Sequence, residues 1–252
     1  MRHIAFASVL LAAAGSAQAG YSNQLDLQIE FQGQVWVMSQ YQQDWQTQTL
    51  PDGSFRLWGQ STCFTDGQGG AVTAAYELVL SSSEPDPTGR GFPFASVSSS
   101  FTITNSFPVA NPFTVLTTVP ISVPFPATGM RGSHSGSVLD NSANLNGATV
   151  AAGVGSALYT ALLDGLPVAS LRNDPFAQIA PGGGSASIGS TNFGVPAFLG
   201  GPAAATSLGI LNAFVLSAED SVTSNSTFII TPAPGAVALG GLAGLVGLRR
   251  RR

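Results

Sequence analysis

The sequence predicts an all-β protein, an antiparallel β-sandwich of jelly-roll-like connectivity with a short apolar helix at each end. Three observations predict it. Apolar residues recur with period two through most of the body, which places one face of a strand in a core and the other in water. Gly, Pro, Ser, Asn and Asp-Gly pairs punctuate these runs as turns. No ten-residue stretch of the body carries a 3.6-residue period.

Taken in chain order, Leu25, Leu27, Ile29 and Phe31 alternate with Gln24, Asp26, Gln28 and Glu30. An aromatic cluster follows. Trp36, Tyr41, Trp45 and Trp58 fall within 23 residues, among Gln side chains at 32, 34, 40, 42, 43, 46, 48 and 60. Pro51-Asp52-Gly53 separates two apolar runs as a hairpin turn. Residues 81–90, rich in Ser and Pro, read as a loop. Val97, Phe101, Ile103 and Phe107 share one parity, as do Phe113, Val115, Val119, Ile121 and Val123. Residues 124–136 read as a loop, with a candidate domain boundary near 127–136. Residues 156–163 read as a strand or, alternatively, a short helix. The Asp164-Gly165 pair turns the chain back into a run whose Pro167 suits an edge strand. Residues 181–190 read as a loop. Leu208, Ile210, Phe214 and Leu216, then Val222, Phe228 and Ile230, form two last strands joined by a turn at 217–220.

The two ends differ from the body. Met1-Arg2-His3, an apolar run from Ile4 to Ala14, and small residues at Ala17 and Ala19 compose a secretory signal peptide cut before Gly20. At the other end, Pro232-Ala233-Pro234 precedes thirteen uncharged residues, Ala236 to Leu248, and then Arg249, Arg250, Arg251 and Arg252. As a helix the run extends about 20 Å against a hydrocarbon core of about 30 Å, a marginal span. The arginine block orients such a span with its C-terminus in the cytoplasm. The domain reading is therefore a signal peptide at 1–19, a sandwich at 20–231 and a sorting and anchoring segment at 232–252.

This ending resembles the PEP-CTERM sorting signal, with Ala233 standing where that family's name-giving Glu is. The resemblance covers residues 231–252. It implies export through the general secretory machinery and retention by the tail. It also implies cleavage near Pro232-Ala233-Pro234 by an exosortase-like membrane peptidase. Members of that family are surface or extracellular bacterial proteins, often linked to exopolysaccharide.

Composition excludes several functions. The chain has no Lys, and between its addresses it carries four Arg against thirteen acids, a net charge of −9. It therefore has no basic face for nucleic acid and no lysine for a phosphate loop. One Cys, Cys63, cannot make an internal disulfide, and no ligand spacing for zinc or calcium occurs. The body's single His, in Gly132-Ser133-His134-Ser135-Gly136, reads as an exposed loop histidine with no Ser and carboxylate beside it. The expectation is thus a non-catalytic exported structural or interaction protein without metal or cofactor. It is first tethered to the membrane, then free at the cell surface or outside it, and associated with the envelope or exopolysaccharide matrix. The alternative is a carbohydrate-binding sandwich using Trp36, Tyr41, Trp45 and Trp58. Between Val35 and Val37, Trp36 is the position where one parity must face out.

Overall fold

A computed structural model describes residues 26–40, 45–51, 54–67, 69–83, 94–121, 124–141 and 145–233. In chain order the strands are β1 (Asp26–Phe31), β2 (Gln34–Val37), β3 (Trp45–Thr49), β4 (Phe55–Thr65), β5 (Ala71–Ser83), β6 (Phe94–Asn105), β7 (Asn111–Pro120) and β8 (Thr128–Asp140). They continue with β9 (Ala148–Ala152), β10 (Ala157–Leu163), β11 (Leu166–Asn173), β12 (Ala177–Ala180), β13 (Ser185–Phe193), β14 (Leu199–Gly201), β15 (Ser207–Leu216) and β16 (Asp220–Pro232). All pairings are antiparallel. The first sheet runs β11-β10-β15-β7-β1-β2, with β9 also pairing with β15 and β12 pairing with β9. The second runs β13-β8-β16-β6-β5-β4-β3, with β14 also on β8.

The period-two runs become strands with alternating burial. In β6, Ala95, Val97, Phe101 and Ile103 are buried while the intervening Ser and Thr are half-exposed. Side chains from both inner faces interleave between the sheets. The Phe31, Phe113 and Phe214 rings stack at 5.3 and 5.6 Å, and Phe101 of the opposite sheet stacks on Phe214 at 6.1 Å. Each such buried ring contributes about 1.5–3 kcal/mol of hydrophobic stabilisation, so this column is a main tie between the sheets.

Turn chemistry acts where positive φ is required. Asp164 and Gly165 take φ of 51° and 78°, and β10 pairs with β11 across them. Gln32 and Gly33 repeat the arrangement between β1 and β2. Pro167 lies on β11, an edge strand, as its missing N–H suggests.

Several expectations are corrected. Residues 128–136 are not a loop or a domain boundary but the first part of β8, which lies between β13 and β16. Its Gly and Ser content masked a strand whose outer face is hydroxylic and whose inner face is crowded. Adding a Cβ at Gly132 would bring it 2.5 Å from the Tyr159 hydroxyl, and at Gly136 2.2 Å from the Thr223 carbonyl oxygen. Residues 185–190 are likewise strand, the start of β13 on the sheet edge. Residues 157–163 are strand rather than helix, because β15 and β11 pair on either side of them. The turn at 217–220 does link the last two strands, but it carries the chain from one sheet to the other. The expected terminal helices, the signal peptide and the tail from residue 234 lie outside the described residues. Among the described residues no helix is long and apolar enough to cross a membrane.

Candidate functional site

The aromatic cluster divides between interior and surface. Trp36 is 3% exposed and packs against Tyr76 at 5.9 Å, so it belongs to the core and not to a binding face. Its neighbour Val35 takes the outward parity instead. Trp45 is half-buried against the core. Trp58 alternates with the buried Leu57 and so lies on the outer face of the second sheet. The Arg56 guanidinium sits over its ring at 4.8 Å and donates to both carboxylate oxygens of Glu77, at 3.0 and 2.7 Å. Tyr41 lies outside the described residues.

That outer face is a lattice of hydroxyls that sequence reasoning missed. Across the β6–β16 pair, Ser100 donates to Asn225 at 2.7 Å, Thr102 meets Thr223 at 2.9 Å, and Thr104 meets Ser221 at 2.7 Å. Ser133 of β8 meets Thr227 at 2.7 Å. A shallow depression of about 230 Å³ opens among Glu77, Val79, Ser98, Ser100, Asn225 and Thr227. Each hydroxyl paired in this way keeps further hydrogen-bonding capacity, so the face can meet polar, uncharged hydroxyl-bearing surfaces. The signal was legible as the Ser/Thr parity of β6, but only strand order shows that β16 and β8 continue it.

The inner face of the same strands brings together groups that the sequence left apart. His134 is 1% exposed, not a loop residue, and its Nε2 lies 3.2 Å from the Ser224 hydroxyl. Burial, aided by the nearby Arg172 charge, lowers its pKa to about 4. Its Nδ1 is buried and makes no hydrogen bond among the described residues, so no carboxylate orients the ring as a hydrolytic triad requires. Nearby, Tyr159 donates to the Thr227 carbonyl at 2.9 Å, and burial raises its pKa. Asn212 donates to the Leu158 carbonyl at 2.9 Å and to Ser226 at 3.1 Å. The Tyr159–Thr227 and Asn212–Ser226 bonds tie the two sheets together.

At the end where β15 turns into β16, Asp140 and Asp220 face each other directly across their strands. Asp140 accepts from the Gly147 and Gly183 amides at 3.0 and 2.8 Å, while Asp220 accepts from the Ser217 hydroxyl. Burial, reinforced by Asp140, raises the pKa of Asp220. No cluster of three or more metal-ligating His, Cys, Asp or Glu side chains occurs among the described residues. Cys63 is half-buried, and its thiol points to the Ser61 carbonyl oxygen at 3.9 Å.

Of the residues expected to form a sorting motif, Pro232 ends β16 opposite Thr128, and Ala233 donates its amide to the Ala127 carbonyl at 3.0 Å. Both are half-exposed. Ala17, Ala19, Gly20, Pro234 and Arg249 to Arg252 lie outside the described residues. In comparisons with protein-family models, curated proteins and solved structures, nothing matches this chain.

Proposed function

We propose that this protein is an exported, non-catalytic β-sandwich of the cell surface or extracellular matrix, held briefly at the membrane by its C-terminal segment. The observation that carries the reading is the position of the Pro232-Ala233-Pro234 tripeptide. The long strand β16 makes its last pairing at Pro232, and Ala233 makes one more backbone hydrogen bond. The tripeptide therefore spans the boundary between the paired sandwich and the apolar, arginine-ended segment. A peptidase acting just past this boundary would leave β16 and its buried side chains Phe228 and Ile230 intact. The general secretory machinery would deliver the chain, an exosortase-like enzyme would release it, and exopolysaccharide would be its surroundings. The repeated crossing of the chain between sheets supports a jelly-roll-like connectivity.

Mass spectrometry of the exported protein tests this. The expected mature form begins at Gly20 and ends near Pro232 to Pro234. A mature form that still carries Arg249 to Arg252 overturns it.

A second reading, carbohydrate binding, is favoured by the hydroxyl lattice with Trp58 at its side. It would use the outer face rather than Trp36. Pull-down on insoluble polysaccharides tests it, with retention expected to fall in Trp58→Ala. No retention on any polysaccharide removes it.

A further inference from the structure

We infer that the end of the sandwich from which the C-terminal segment leaves is a membrane-contacting surface, with Val195, Phe198, Leu199 and Leu166 seated against the outer leaflet. This rests on the reading above, that residues 236–248 enter the bilayer.

Tether length imposes the contact. Only Pro234 and Gly235 separate Ala233 from Ala236. Three steps of at most about 3.6 Å keep Ala233 within about 11 Å of the apolar run. A body tied this closely cannot stand clear of the lipid surface, so whatever surrounds Ala233 meets the headgroups.

What surrounds it is apolar. Thr128 pairs with Pro232 on one side of β8 and with Gly201 on the other. The β14 strand therefore lies two strand spacings, about 10 Å, from the exit point. The segment leading into β14 exposes Val195 by 54%, Phe198 by 39% and Leu199 by 45%. Phe198 lies against Gly129, which pairs with Thr231 near the exit.

The first sheet adds a second contact at the same end. The Asp164 side chain accepts from the amides of Ala205, Thr206 and Ser207, which follow β14, so the turn between β10 and β11 is fastened there. That turn presents Leu166, 68% exposed.

Charge at this end is mixed, with the Asp164 carboxylate held by backbone amides and Arg131 beside Phe198. The Arg131 guanidinium lies 4.5 Å over the Phe198 ring, which puts a cation at the level of the headgroups beside the apolar side chains. Asp66, Asp140, Glu219 and Asp220 lie at the opposite end, away from an anionic bilayer.

The test uses the full chain with vesicles of phosphatidylethanolamine and phosphatidylglycerol. An environment-sensitive dye is placed at Phe198→Cys or Leu166→Cys, each in a Cys63→Ser background. Val154→Cys serves as the control. Val154 is fully exposed, beyond the far end of β10 and about 20 Å from that turn. Blue-shifted emission and loss of iodide quenching at positions 198 and 166, with position 154 still quenched, is the expected result. If the chain floats with the vesicles while 198 and 166 are quenched as fully as 154, the contact surface is refuted and the tether stands. If the chain does not float, the tether reading fails and takes the surface with it.

Discussion

The His134 imidazole and the Ser224 hydroxyl meet 3.2 Å apart on the inner face of the second sheet, both out of water. The pair is a packing device whose cost appears on acidification. Burial, with the Arg172 charge, holds the folded-state pKa near 4, below the ordinary 6.5. Between those values the unfolded chain binds more protons than the folded one, so stability falls as pH drops through that window. The loss by pH 4 is of the order of 3 kcal/mol. Urea midpoints measured from pH 7 to pH 4 should show this slope, and His134→Gln should flatten it.

Asp220 carries the opposite sign. Burial and then the facing Asp140 raise its pKa above 3.8, so the folded protein keeps a proton that the unfolded chain releases. Stability contributed by this group is present at low pH and declines as pH rises through the folded value. Asp220→Asn removes the like charge while keeping the shape. Thermal unfolding should show a higher Tm than the parent at pH 7, with the gain shrinking toward pH 4.

At Asp164 the carboxylate is prized as an acceptor. Burial opposes its charge, but hydrogen bonds from Ser207, Thr206 and Ala205 outweigh that and hold its pKa at about 2. Asp164→Asn preserves a turn-competent residue before Gly165 and removes the charge together with one acceptor oxygen. Tm should drop at pH 7, and the difference from the parent should close as pH falls from 3.8 toward 2.

The tryptophans should separate cleanly. Trp36→Ala empties a buried site and should cost about 3–5 kcal/mol in urea unfolding. Trp58→Ala, on the outer face, should cost about 1 kcal/mol or less. Equal losses would contradict their assigned places.

Glycines in β8 should resist enlargement. A Cβ at Gly136 meets backbone at 2.2 Å, whereas at Gly132 it meets the movable side chains of Phe193 and Tyr159. Gly136→Ala should destabilise by about 2 kcal/mol or more, and Gly132→Ala by less, in the same unfolding assay.

Strand class, the Asp164-Gly165 hairpin and the edge position of Pro167 were legible from residue order alone, because period-two burial and positive-φ turns are local physics. The outer hydroxyl lattice, the buried His134 and the core role of Trp36 were not. Each depends on which strands become neighbours. Ser, Gly and His in 132–136 look like loop residues until β13 and β16 supply backbone partners on both sides. The side of the sandwich that Trp36 faces is set by the register of β1 and β2 and by Tyr76 on the opposite sheet. Residue order decides how a strand alternates; only the assembled sheets decide which alternate face is covered.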